Sequence, residues 1–146
     1  EACHIYDLFR SISGTPATQM SAQCISPYGQ EWLRNDNFSA AIKYENGDIG
    51  NLIYTAMGPK EGMPKERMEV FRDGESWLLD DYKSLSRMSD GEVLWASSEP
   101  DKGHSTEIES FAAALKNESE LITFEELIET SATALHIEDL LFGRNT

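Results

Sequence analysis

Three histidines, two cysteines and the lysines are the first side chains of this 146-residue chain to weigh for proton-transfer, nucleophilic or anion-binding chemistry. His4 is one helical turn from Asp7. An imidazole titrates near neutrality and can give or take a proton in a reaction. Asp7 can orient that ring or pair with Arg10 along the same helix. On spacing alone His4 falls at the edge of an apolar helix face. His104 follows Asp101-Lys102-Gly103 and shares its helix stripe with apolar residues, a position for a locally packed or capping histidine or for a ligand contact. His136 falls on a polar helix side. Lys65 and Lys102 are the cations best placed to meet a substrate carboxylate or phosphate.

Other chemistry is missing from the spacing. Cys3 and His4 are adjacent and diverge by about 100° on a helix, and Cys24 stands alone, so no metal-ligand pattern forms. The two cysteines read as free thiols of a reducing compartment, far below disulfide-scaffold density. No G-x-G-x-x-G or phosphate-loop motif occurs, and Gly47, Gly50, Gly58 and Gly62 read as turn glycines. No nucleophile-elbow motif supports a Ser–His–Asp triad.

Charge narrows the partners. Twelve basic residues against 26 acidic ones give a net charge of −14. That field repels nucleic acid and anionic membranes, and no apolar run approaches the roughly 20 residues of a membrane span. The length suits one domain over residues 1–146 with a real core. The chain opens on Glu1 with neither Met nor a signal peptide, which reads as a fragment or processed product of a cytoplasmic protein.

The elements that must position these residues follow from periodicity and turns. Ile5, Leu8, Phe9 and Ile12 mark one face of a first helix, ended by Gly14 and Pro16. Residues 18–25 form a strand and residues 27–35 a loop. Phe38, Ala40, Ile42 and Tyr44 alternate, and Asn46-Gly47 turns the chain into a strand at 49–57. A loop at 58–64 holds two glycines and two prolines. Strands at 67–72 and 76–79 flank Asp73-Gly74, and strands at 82–88 and 93–96 flank Asp90-Gly91. His104, Ile108, Phe111, Ala112 and Leu115 stripe a helix. Thr123 and Glu126 form a capping box for the last helix, whose apolar residues are Leu127, Ile128, Ala134, Leu135 and Leu141 and which Gly143 ends. The class is α+β: an open, mostly antiparallel sheet with helices on one face. Leu52 and Tyr54 against Ile53, Val70 against Phe71, and Trp77 against Leu78 give the strands apolar groups on both faces, so the second face is expected to serve oligomerisation.

Several segments together resemble the C-terminal domain of the glucose–fructose oxidoreductase and inositol dehydrogenase family (Gfo/Idh/MocA). They are the H-x-x-D run in residues 1–8, the segments at 36–39, 44–50 and 64–71, Asp101-Lys102-Gly103-His104 with Glu107, and the helix opening at 123–127. The wording is most similar to members fused to a zinc-type alcohol dehydrogenase module. The resemblance implies an NAD(P)-dependent oxidoreductase of sugars or polyols, whose own N-terminal Rossmann domain, absent here, holds NAD or NADP. It implies that this chain alone binds no dinucleotide and is inactive. It also implies a pocket role for His4 in proton transfer, with Asp7, Lys65, Lys102 and His104 as substrate-binding candidates, and a homo-oligomer formed through the sheet. The family's E-K-P lysine lies outside this sequence. The competing reading is a free-standing α+β dimerisation module; a small-ligand carrier would need a deep pocket that an open sheet does not supply.

Overall fold

The computed structural model describes residues 2–25, 33–59, 61–117 and 122–144. In chain order the elements are α1 (Ala2–Ser13), β1 (Ala17–Cys24), β2 (Asn37–Tyr44), β3 (Ile49–Thr55), β4 (Arg67–Arg72), β5 (Glu75–Asp80), β6 (Ser84–Arg87), β7 (Val93–Ala96), α2 (His104–Asn117) and α3 (Phe124–Phe142). They fall into two compact units, Glu1–Gly58 with Ile122–Thr146, and Pro59–Leu121. The α+β class holds, and every strand pairing is antiparallel. The meander breaks once: β1-β2-β3 form one sheet and β4-β5-β6-β7 another. The break falls at the stretch rich in glycine and proline, where Pro cannot donate to a strand ladder.

In the first unit, Phe38, Ala40, Ile42 and Tyr44 alternate onto the buried face of β2. They meet Tyr6 of α1 and Ile137 and Leu141 of α3 in one core, and Ile42 and Ile137 are almost wholly buried. Phe38 stacks on Tyr54 of β3 with ring centroids 5.4 Å apart. Gly50 lies within β3 rather than in the hairpin turn. A Cβ there would stand 2.5 Å from the Phe9 ring, so this glycine lets α1 approach the sheet. The turn itself uses Gly47 at φ 94°. Asp48 N–H donates to the Asn46 side chain at 2.9 Å, and that side chain donates to the Ser13 carbonyl at 3.1 Å. The outer face of the sheet carries Ser21, Ser39 and Asn51, with Ile49 and Ile53 exposed among them.

The helix faces differ from the expected stripes. On α1 the buried residue is Tyr6, while Ile12 is exposed. On α3 the buried residues are Thr133, Ile137 and Leu141, while Leu127, Ile128 and Leu135 are exposed. Both helices carry apolar residues around much of their circumference, and contact with the sheet selects the face. The α3 ends do follow the sequence: Thr123 and Glu126 form the reciprocal capping box, and Gly143 closes the helix at φ 64°.

The second unit is a four-stranded meander followed by α2. Asp73 (φ 52°) and Gly74 (φ 82°) make its first hairpin turn, and Gly91 (φ 75°) marks the connection from β6 to β7. β6 starts at Ser84 instead of residue 82, because Asp81 and Tyr82 both take left-handed backbone (φ 51° and 52°). Among the described side chains of α2 only Ala114 is buried; Ile108, Phe111 and Leu115 are exposed. Among the described residues, no helix is long and apolar enough to cross a membrane. Most of the loop expected at 27–35 lies outside the described residues.

Candidate functional site

The histidine of greatest interest stands on the open side of α1. His4 and Cys3 are exposed, whereas Tyr6, two positions on, is buried. Two steps of about 100° put His4 and Tyr6 on nearly opposite sides of the helix. His4 is therefore directed away from the core and does not lie at its edge. Burial, then the charge of Glu138, pushes the Tyr6 hydroxyl well above the usual phenol range.

Two polar links hold α1 against α3. Arg10 Nε donates to Glu129 Oε2 at 2.6 Å, with both side chains largely covered. Thr130 Oγ1 donates to Asp7 Oδ1 at 3.2 Å. Asp7 thus engages Thr130, and Arg10 takes Glu129 as its ion-pair partner. The sequence offered no local signal for either link, since each joins residues more than a hundred positions apart.

The other candidates lie in the second unit, and two of them converge. Lys102 Nζ is 2.7 Å from Glu66 Oε1, and Lys65 Nζ is 3.9 Å from the same oxygen. Lys102 also sits over the Tyr82 ring, 5.1 Å from its centroid. The Lys65 N–H donates to Asp81 Oδ1 at 3.0 Å, and Lys83 pairs with Asp81 at 3.1 Å. Lys83, then the Lys65 N–H, holds the Asp81 carboxyl below its ordinary range. The Asp101 N–H reaches the Tyr82 carbonyl at 2.8 Å, and the Gly103 N–H reaches the Asp101 side chain at 2.9 Å. Segments 65–66, 81–83 and 101–103 thus form one polar corner around two left-handed residues. Such backbone costs about 1–3 kcal/mol per residue and persists where neighbours enforce it. Glu66 and Tyr82 had not been singled out from sequence: a tyrosine in left-handed backbone has no local signature. Both lysines already face a carboxylate, so an incoming anion competes with Glu66. His104 is exposed at the first residue of α2, off any buried stripe.

A groove of about 560 Å³ runs between β1 and α3 and is lined by Met20, Glu129, Thr133, His136 and Asp139. His4 is not part of it. Among the described residues, no three or more His, Cys, Asp or Glu side chains gather as metal ligands. No described βαβ unit opens a helix from a glycine-rich turn, the arrangement that holds a dinucleotide pyrophosphate.

No protein-family model matches the chain, and no curated protein matches it. Solved structures do. UDP-N-acetylglucosamine 3-dehydrogenase GnnA from Acidithiobacillus ferrooxidans superposes with a TM-score of 0.78 at 17% identity, over 97% of this chain and 46% of that one. A candidate oxidoreductase from Thermotoga maritima gives 0.70 at 16% identity, over 96% and 43%. The WlbA dehydrogenase from Bordetella pertussis, solved with NADH and UDP-GlcNAcA, gives 0.57 at 19% identity, over 97% and 41%. The chain spans less than half the length of each, and what it shares with them is the fold of that part.

Proposed function

We propose that this chain is the substrate-side domain of a Gfo/Idh/MocA-type, NAD(P)-dependent sugar oxidoreductase. A UDP-linked hexose is the first substrate class to test, because two of the similar structures are named for or hold UDP-sugars. The observation that carries the reading is His4, exposed on a helix clamped to the core, within a fold shared with dehydrogenases. The remainder of the protein would hold NAD or NADP, which takes up the hydride. This chain supplies the proton step: as the carbinol carbon is oxidised, its hydroxyl proton passes to the imidazole of His4. Lys65 and Lys102 would meet a substrate anion by exchanging Glu66 for it, and His104 lies two positions after Lys102. The chain alone would be inactive, and in the full protein it would face its own Rossmann domain. Ile49 and Ile53 on the outer sheet face support a homo-oligomer built through that face. Fusion to a zinc-type alcohol dehydrogenase module is the arrangement suggested by the sequence wording.

The test uses the full-length protein with NAD or NADP and a panel of UDP-hexoses and polyols, followed by nicotinamide absorbance. His4→Ala is expected to lower turnover about 10²–10⁴-fold, the usual worth of a placed acid or base, with the melting temperature unchanged. Wild-type turnover in that variant, or no turnover of any member by the parent protein, would overturn the reading.

A further inference from the structure

We infer that the Arg10–Glu129 pair, together with Asp7–Thr130, is a rotational stop that sets the direction of His4, and that its contribution to stability is secondary. The inference rests on the proton-transfer reading of His4. The apolar anchor of α1 is narrow: Tyr6 is its one buried residue, with Ala2 and Phe9 partly buried around it. Apolar burial has no preferred direction, so that contact, with Phe9 seated against Gly50 beside it, resists a small roll of α1 less sharply than directional bonds do. The same roll matters to His4. A side-chain tip lies ~5–6 Å from the helix axis, and a turn of ~20° at that radius moves the ring by ~2 Å. A misplacement of about 1 Å can cost a reaction 10²-fold.

The two polar links remove that freedom. On α1 they arise one turn apart, at Asp7 and Arg10; on α3 they end on the adjacent residues Thr130 and Glu129. They also run in opposite senses. Arg10 donates to α3, while Asp7 accepts from it. Hydrogen bonds weaken steeply with distance and angle, so both are met in one rotation and one register; a one-turn slip of about 5.4 Å breaks both. An ion pair as covered as this one often contributes little net stability, and an apolar pair in its place is frequently neutral. Directional definition is what such a replacement would lose.

The experiment is the double replacement Arg10→Met/Glu129→Leu in the full-length protein, with histidines labelled at the ring carbon for NMR. The His4 ring signal, assigned by its loss in His4→Ala, is expected to move or broaden while the melting temperature stays near the parent value. Glu129→Gln, which keeps an acceptor for Arg10, is expected to restore most of the parent signal. If the double replacement fails to fold, Glu129→Ala, which removes the acceptor alone, is read in its place: a moved His4 signal is expected, and an unmoved one overturns the stop. An unmoved His4 signal in a folded double variant would overturn the stop. Turnover gives the second arm: the double replacement is expected to lower kcat ~10-fold or more, and to add nothing when His4→Ala is already present. Losses that multiply with His4→Ala would show that the pair acts elsewhere. If His4→Ala itself keeps full turnover, the catalytic reading fails, and the NMR result still decides whether the stop exists.

Discussion

The two units of this chain are built on different terms. In the first, a three-stranded sheet presents Phe38, Ala40, Ile42 and Tyr44 to two helices, and Ile42 and Ile137 are sealed from solvent. In the second, a four-stranded sheet leaves Phe71, Val93 and Leu94 exposed, and among the described side chains only Ala114 of α2 is buried. What knits the second unit is hairpin geometry and charge: the turns at Asp73-Gly74 and Gly91, the Arg87–Asp90 and Arg87–Glu92 pairs, and the corner around Glu66 and Asp81. Exposed ion pairs contribute little, about 0–1 kcal/mol each, whereas fully burying a large apolar side chain contributes about 1.5–3 kcal/mol. Order in the first unit is therefore secured by packing, and in the second by local turns.

The contrast can be broken most directly at Ile42. Ile42→Ala is expected to destabilise the first unit by about 2–5 kcal/mol, because a sealed site cannot fully collapse around the loss; chemical denaturation measures it, and a cost under about 1 kcal/mol would mean the core is not where the structure puts it. Gly50→Ala comes next. The new Cβ meets the Phe9 ring and forces α1 outward, at about 1–3 kcal/mol, and a neutral result would show that the ring yields freely.

Alkaline pH tests the same core by titration. Burial pushes the Tyr44 hydroxyl up to about 12, against a weaker opposing pull from Arg10, from an ordinary value of 10.0. A raised phenol pKa means the fold favours the neutral form, so its stability is fully present below pH 10 and is lost as pH climbs toward about 12. Tyr6 acts in the same sense. Denaturant midpoints across that window are expected to fall in the parent and to fall less steeply in Tyr44→Phe; equal slopes would remove Tyr44 from the account. The smallest effect sharpens the comparison from the surface. Phe71→Ser and Ile53→Ser, one from each unit, are each expected to change the stability of the single chain by less than about 0.5 kcal/mol. Light scattering of the second variant also tests the proposed oligomer, with the mass expected to drop from a multiple of 16.4 kDa to a single chain.

The features readable in advance were those encoded by neighbours in sequence. Asn46-Gly47, Asp73-Gly74 and Asp90-Gly91 lie at connections between paired strands, and Thr123 with Glu126 starts α3. The alternation of β2 predicted its buried face residue by residue. Faces chosen by distant partners were not readable. Tyr6 outranks Ile5 and Leu8 on α1 because β2 and α3 lie on its side, and nothing within twelve residues of helix says so. The parting of the sheet after β3 is hidden for the same reason: a strand's own sequence does not name its neighbour. Around the candidate site, the helix that carries His4 was legible, while the Arg10–Glu129 link and the left-handed Tyr82 were not.

The order of elements has a consequence for how the molecule comes into being. The first unit is split in the chain, with Ile137 and Leu141 supplied only after the whole second unit has been made. At about 5–20 residues per second, synthesis of the stretch Pro59–Leu121 takes on the order of several seconds. Throughout that interval Phe38, Ile42 and Tyr44 have no α3 to cover them. The nascent chain therefore carries an apolar sheet face that α1 covers in part and that stays open until α3 arrives, and any truncation before α3 leaves it exposed to chaperones and proteases.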